Sequence, residues 1–433
     1  VILPFTPPDY FSYQKRVFAH YFYPFSLQIG SSPAAADYYN TQYLAPGGEK
    51  GIHAAYGGYL RSRPLALPTQ NSQIANMQTE VRMAIARGIT GFTFDILSLA
   101  DALSPVGHLN LMLQAAAAVD TRFWVVPMLD MSSLVGLTQA QAVQLISSFM
   151  HPSYARLPDG RLLITAFNAS FQPILWWQQV ITALNLQDVD MAFIPIFLGG
   201  PASNPLATIS HGFGGWGTAT PAAAAAAPPC MMMPVLPQQF RPKDQIFWEA
   251  GNTASFRAGW MNAIQSNAQY VQIVTWSDFS ESGQVQPYTD ATLNPSIGTA
   301  FYDLTAYYAA WFVSGVQPPI VADRLYWCYR RMGSTAAHSS QPDAFKVVGA
   351  AETSNIEALA FLTASGTVVI NGAATACPAG ITSVMVPTAP GTPQFRLQRD
   401  GSDVFEFKGL QIYGSGGSPS GTLDLTYWGG SHP

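Results

Sequence analysis

Asp278 and Glu281 lie three residues apart at the end of an apolar run, in the segment Val271-Gln-Ile-Val-Thr-Trp-Ser-Asp-Phe-Ser-Glu281. Acid–base cleavage of a glycosidic bond needs two carboxyl groups near one bond, one to protonate the leaving oxygen and one to activate water or attack. Val271, Ile273 and Val274 are β-branched and apolar, as suits a buried strand, and Trp276 adds an aromatic surface beside the acids. The same residues also read as a capped turn in which Asp278 or Glu281 only ties down backbone N–H groups. Placement separates the two readings, because a carboxylate at the C-terminal end of a barrel strand stands where barrel chemistry takes place.

The elements that must position these acids are legible along the chain. Eight apolar, strand-like runs occur in order: Val17–Phe25, Gly91–Leu97, Phe123–Asp130, Leu162–Asn168, Met191–Phe197, Gly212–Gly217, Met231–Leu236 and Val271–Trp276. Between them, Ile74–Arg87 places apolar residues at Ile74, Met77, Val81, Ala84 and Ile85, close to a 3.6-residue period, and Gly88 follows as a stop. Leu109–Val119, Ala140–Phe149 and Ser255–Ile264 share that pattern, and Tyr302–Ser314 reads as a helix closing the unit. Near-continuous apolar strands alternating with helices indicate a parallel sheet covered by helices, and eight of them a closed (β/α)8 barrel over residues 1–317. The sixth run is mostly glycine and reads equally as loop.

Beyond the Pro-rich stretch Gly315–Pro319 the pattern changes to short strands broken by Gly, Asn, Ser and Pro: Leu325–Arg330, Ile356–Thr363, Thr367–Ile370, Ser383–Val386, Gln394–Arg399, Val404–Phe407 and Gln411–Tyr413. This spacing predicts a C-terminal β-sandwich domain over 318–433, an accessory that packs on the barrel rather than holding sugar, since it shows no exposed aromatic stripe. The long first loop, from Ser26 to about Gln73, is of the kind that carries function, whereas Thr220–Pro229, with its six alanines, reads as a surface segment.

The C-terminal ends of the eight strands converge on one rim. Reading them off gives His20, Tyr21 and Tyr23 on the first strand and Asp95 on the second. The third gives Asp130, the fourth Asn168, and the eighth Trp276, Asp278 and Glu281. Trp248 and Glu249 follow the seventh strand, and Arg61 and Arg63 lie in the first loop. Carboxylates and amides accept and donate to hydroxyls, and Trp and Tyr stack on the C–H faces of sugar rings, so this rim suits a neutral, hydroxyl-rich ligand. Duller roles stand beside each: Asp95 as a buried carboxylate paired with an Arg, Asp130 as an orienter, His20 as a hydrogen-bonded core residue, and Arg61 and Arg63 as props for the loop.

Only 10% of the 433 residues are charged, 48% are hydrophobic and 12% aromatic, which excludes a disordered chain and suits a secreted, extracellular protein with a neutral polysaccharide or oligosaccharide partner. The net charge of −5, with no basic run, leaves no footprint for nucleic acid. No apolar stretch is long enough to span a membrane. The first residue is Val1, which reads as a processed or truncated start with any signal peptide out of view. His-x-x-x-His and Cys-x-x-Cys spacings are absent, as are a phosphate loop and a Gly-x-Ser-x-Gly elbow, so neither metal nor cofactor is expected. Of Cys230, Cys328 and Cys377, the last two share the C-terminal part and are the natural candidates for one disulfide, although three cysteines allow three pairings.

Thr275-Trp-Ser-Asp-Phe-Ser-Glu-Ser282 resembles the Thr-Trp-Asn-Asp-Tyr-Gly-Glu-Ser motif of glycoside hydrolase family 71, the α-1,3-glucanases or mutanases. Val17-Phe-Ala-His-Tyr21, Gly91-Phe-Thr-Phe-Asp95, Pro127-Met-Leu-Asp130 and Met232-Met-Pro-Val235 followed by Trp248 look like other strand ends of that family. Tyr56-Gly-Gly-Tyr-Leu-Arg-Ser-Arg-Pro64 is similar to bacterial members. The resemblance covers roughly residues 17–315, with the Leu325–Arg330 strand extending it into the C-terminal part, and implies an endo-acting, inverting hydrolase of α-1,3-glucosidic bonds whose essential acids are Asp278 and Glu281. Ser277, Phe279 and Ser280 depart from the motif's Asn, Tyr and Gly. Those departures keep open a related barrel glycosidase for an α-mannan or a bacterial cell-wall glycan. A non-catalytic glycan-binding barrel is the remaining alternative. Glutamate's slightly higher intrinsic pKa makes Glu281 the general acid and Asp278 the base in this reading.

Overall fold

The computed structural model describes residues 3–23, 62–65, 67, 72–198, 205–217, 231–241, 244–266, 268–290, 296–338, 345–419, 421 and 423–433. Eight parallel strands close into a barrel. They are β1 (Arg16–Tyr21), β2 (Gly91–Ile96), β3 (Trp124–Asp130), β4 (Leu162–Phe167), β5 (Met191–Phe197), β6 (Gly214–Gly215), β7 (Met232–Val235) and β8 (Tyr270–Ile273). The ring closes where β1 pairs with β2, His20 opposite Thr93, and with β8, Phe18 opposite Gln272. Every expected barrel strand is present. The glycine-rich sixth is two residues long, and Gly214 is glycine because a Cβ there would fall 2.6 Å from Ile196 Cδ1 and 2.9 Å from the Met232 carbonyl.

Helices α1 (Gln73–Ile85), α2 (His108–Val119), α3 (Gln139–Ser147), α4 (Ile174–Asn185), α5 (Ala254–Gln265) and α6 (Ala300–Ser314) lie around the barrel. Side-chain capping starts two of them: the Ser72 hydroxyl accepts from Ala75 N–H at α1, and Thr138 with Gln141 forms a reciprocal capping box at α3.

Successive strand residues point to opposite faces, which sorts the strand side chains into two cores. Val17, Ala19 and Tyr21 of β1 join Met77 and Val81 of α1 in the outer core between barrel and helices. Phe18 joins Val126, Met128, Leu163, Ala192, Ile194, Ile196, Met232 and Tyr270 inside the barrel. The interior is therefore packed with side chains.

Two four-stranded antiparallel sheets follow the barrel. One runs β13–β10–β9–β16, from β9 (Arg324–Arg330), β10 (Asn355–Leu362), β13 (Gly380–Pro387) and β16 (Tyr427–His432). The other runs β12–β11–β14–β15, from β11 (Gly366–Ile370), β12 (Ala373–Cys377), β14 (Gln394–Arg399) and β15 (Ser402–Lys408). Leu325, Trp327, Tyr329 and Ile356 of the first meet Val368, Ile370, Phe395 and Leu397 of the second in one core. Alternate residues of the first sheet, Tyr326, Cys328, Leu359 and Phe361, join the barrel's outer core instead. Strands β12 and β16 were not expected, and Gln411–Tyr413 is not a strand, only Ile412 bridging to Gly391.

Of the pairings the sequence left open, Cys328–Cys377 is not formed, and both thiols are free and buried. The alternation of β9 explains this, because Cys328 faces the barrel while Cys377 faces the core between the sheets. Cys230 and the Thr220–Pro229 segment lie outside the described residues. Among the described residues no helix is long and apolar enough to cross a membrane.

Candidate active site

The strand alternation that builds the core also chooses which rim residues face inward. On β1 that residue is His20, whose Nε2 lies 3.6 Å from Asp95 Oδ2 on β2. Its ring meets Trp216, just past β6, edge to face at 4.8 Å, and Trp216 in turn packs edge to face on Phe167 of β4 at 4.6 Å. Asp95 is paired with a histidine, not with the arginine its duller reading required. Burial pushes its carboxyl up to about 6; His20 pulls the other way, while the carboxylates of Asp130 and Asp278 add to the rise. These three aspartates and His20 thus share one electrostatic neighbourhood at the top of the barrel.

Asp130 closes β3 and organises its own turn: Oδ1 accepts from the Ser132 and Ser133 N–H groups at 2.7 and 3.0 Å, and Oδ2 from the Ser133 hydroxyl at 2.9 Å. Asn168, just past β4, adopts a left-handed backbone (φ 49°) and its amide donates to Ser132 Oγ at 3.1 Å. Both residues therefore stand at the rim, tied to the same serine turn.

After β8 the chain passes through a cis Val274–Thr275 peptide into a tight loop bearing both expected acids. Thr275 N–H donates to Gly283 O at 2.7 Å, Val285 N–H to Thr275 O at 2.9 Å, and Gly283 N–H to Asp278 O at 3.2 Å. Asp278 N–H donates to Thr275 Oγ1 at 2.7 Å, and the Ser280 N–H and hydroxyl both donate to Asp278 Oδ1, at 3.0 and 2.5 Å. Among the described residues none donates to Oδ2, the oxygen left to face a ligand. Glu281, about one-fifth exposed, accepts from Gln239 Nε2 at 2.6 Å and pairs with Arg241 Nη2 at 3.2 Å. Phe240 N–H also donates to the Glu281 carbonyl. The strand Gln239–Arg241 that supplies these contacts pairs with Ile246–Trp248, so Trp248 lies opposite Gln239, one layer behind Glu281.

Tyr21, Trp276 and Glu249 are placed otherwise. Tyr21 has the outward parity of β1 and donates its hydroxyl to Glu80 of α1 at 2.6 Å. Trp276, with no exposed surface, packs on Phe92 and Tyr302 and donates its indole N–H to the same glutamate at 3.3 Å. Both face the helix layer and cannot stack on a sugar in the barrel mouth. Arg61 lies outside the described residues. Glu249 accepts from Arg330, Tyr427 and the Thr353 N–H, all from the C-terminal sheets and their loops, so it belongs to the junction and not to the rim.

The three departures from the family motif have internal partners: the Ser277 hydroxyl bonds the Phe22 backbone, Ser280 holds Asp278, and Phe279 is fully buried. Sequence reasoning missed Trp216, Gln239, Arg241 and Glu80. Trp216 was within reach, since it follows the sixth run at the same rim height as the others. Among the described residues no group of three or more His, Cys, Asp or Glu side chains is placed to hold a metal ion.

Residues 65–431 match the model of glycosyl hydrolase family 71, a span that takes in the barrel from α1 onward and both C-terminal sheets. A curated relative, the ascus wall endo-1,3-alpha-glucanase of Schizosaccharomyces pombe, is 22% identical over 259 residues, covering 53% of this chain and 58% of the relative. Two solved structures of the GH99 endo-alpha-mannosidase from Bacteroides thetaiotaomicron share the fold. One has a TM-score of 0.52 at 16% identity over 71% of this chain and 98% of that one. The other has a TM-score of 0.54 at 15% identity over 72% and 99%. With its acid-bearing eighth-strand loop and a family match over most of its length, this chain belongs to glycosyl hydrolase family 71.

Proposed function

We propose that the protein hydrolyses α-1,3-glucosidic bonds within a glucan, by an inverting mechanism in which Asp278 is the general base and Glu281 the general acid. The loop after β8 carries this reading: it holds both carboxylates at the barrel rim and leaves Asp278 Oδ2 without a protein donor among the described residues. Glu281 would protonate the leaving oxygen while Asp278 activates water on the opposite face of the sugar. His20, Asp95, Asp130 and Asn168 would hold hydroxyls, and Trp216 supplies the aromatic surface expected of Trp276. The name of the yeast relative and the family match support the bond type; the low charge of the chain supports a neutral polymer met outside the cell. In the same reading residues 1–317 form the catalytic barrel, and the two C-terminal sheets over 318–433 form a β-sandwich accessory domain.

The test is release of reducing ends from insoluble α-1,3-glucan, with Asp278→Asn alongside. Release by the wild type that disappears in the variant supports the reading. No release by the wild type removes this polymer as the substrate.

A further inference from the structure

One buried carboxylate has no part in this chemistry and yet touches every piece of the frame that holds it. Glu80, 1% exposed on α1, accepts three hydrogen bonds. Oε1 takes the Trp276 indole N–H at 3.3 Å and the Gln286 amide at 3.0 Å, and Oε2 takes the Tyr21 hydroxyl at 2.6 Å. Trp276 and Gln286 are the two legs of the acid-bearing loop, joined to each other by Gln286 N–H donating to Trp276 O at 3.2 Å. Tyr21 ends β1 next to His20, whose carbonyl accepts the Trp276 N–H at 2.7 Å. A single side chain thus fixes both ends of the loop and ties them to the His20 strand.

We propose that Glu80 is a positioning residue for the catalytic loop, setting where Asp278 stands relative to His20 and Asp95. This rests on the hydrolase reading above for its activity arm, and on geometry alone for its structural arm. Without the carboxylate, three buried donors lose their acceptor, and the nearby ring of Tyr302 offers Trp276 only a face. No Lys, Arg or His pairs with Glu80 among the described residues, so the anion is held by neutral donors only. A protonated carboxyl or an amide keeps the Oε1 contacts, provided the Tyr21 hydroxyl turns to accept. Position, rather than charge, is the property that matters here.

The experiment compares Glu80→Ala with Glu80→Gln, by kinetics on insoluble α-1,3-glucan and by crystal structures of both variants. Glu80→Ala is expected to lower kcat about 100-fold, the scale of a misplacement near 1 Å, with KM within about threefold. Its Asp278 carboxyl should stand about 1 Å from the wild-type position. Glu80→Gln should rescue kcat to within about threefold and leave Asp278 in place. An Ala variant with wild-type kcat, or with Asp278 unmoved, overturns the proposal. Should wild-type protein release nothing from the glucan, the substrate reading fails and the crystal arm alone decides the role of Glu80. If the Ala variant does not fold, Glu80→Asp, which withdraws the carboxyl by one methylene, takes its place with the same two readouts.

Discussion

Replacing Glu80 by glutamine should make the protein more stable at high pH and less stable at low pH. Burial pushes the Glu80 carboxyl from its ordinary 4.5 up to about 7, against the lowering effect of its Tyr21, Trp276 and Gln286 hydrogen bonds. A group whose folded value is raised binds protons more tightly when folded. Its stabilising contribution is complete below pH 4.5 and is lost as the pH rises through 7. A difference of about 2.5 pH units at 1.36 kcal/mol each is about 3 kcal/mol. The amide does not titrate and escapes this loss. It does bring an N–H to where Tyr21 now finds an acceptor, which costs about 1 kcal/mol at any pH. Relative to wild type, Glu80→Gln should therefore be about 1 kcal/mol less stable at pH 4 and about 2 kcal/mol more stable at pH 8. Urea denaturation followed by tryptophan fluorescence at pH 4, 6 and 8 measures this, and Asp95, which titrates in both proteins, cancels in the difference. A difference that stays flat with pH, or slopes the other way, refutes the reasoning.

Three further outcomes are expected. Asp278→Ala and Glu281→Ala should each lower hydrolysis about 10²- to 10⁴-fold, and azide should rescue the first but not the second; the opposite pattern would exchange their roles. Burial pushes the Asp95 carboxyl up to about 6, and in the proposed function its anion would accept sugar hydroxyls, so kcat/KM of the wild type should fall as the pH drops through 6. Asp95→Asn should be weak and flat over that range, and an inflection that survives the substitution would assign it to another group. Dithiothreitol should leave the melting temperature unchanged, because Cys328 and Cys377 are unbridged; a bridge between them would have contributed about 4 kcal/mol, and its reduction would be plain in the melt.

The barrel was legible because its signal is redundant. Eight apolar runs, each followed by a turn and most by an amphipathic helix, survive the loss of any one, and so the weak Gly214–Gly215 strand did not obscure the closure. The acids were legible because they end the eighth run. Less legible was the direction of each side chain. Tyr21 sits at the right height but carries the wrong parity, and a list of rim residues made without counting alternation admits it. Trp276 shares the parity of inward-facing Tyr270 but lies past the end of β8, where the loop and not the strand sets its direction. Glu80 was hidden within an amphipathic helix, where a lone Glu reads as a solvated position. Strand β16 was hidden by Gly429 and Gly430, which read as a turn. They are glycine because a Cβ on Gly429 would fall 2.2 Å from the Trp327 carbonyl and 2.7 Å from Ala300 Cβ. Strand β12, Ala373-Ala-Thr-Ala-Cys377, is a mostly exposed edge without the apolar alternation that marks a half-buried strand.

The small sheet behind Glu281 has a consequence for how this chain can be cut and recombined. Gln239–Arg241, which grips Glu281, pairs with Ile246–Trp248, and that strand pairs in parallel with Lys346–Val348 from beyond the barrel. The support behind Glu281 is thus woven from both parts of the chain. A barrel severed after α6 would keep both acids and lose the outermost thread of the sheet supporting one of them. The C-terminal part is accordingly not a module to be shuffled like a detachable binding tag, and minimal or chimeric versions of this chain must carry both parts together.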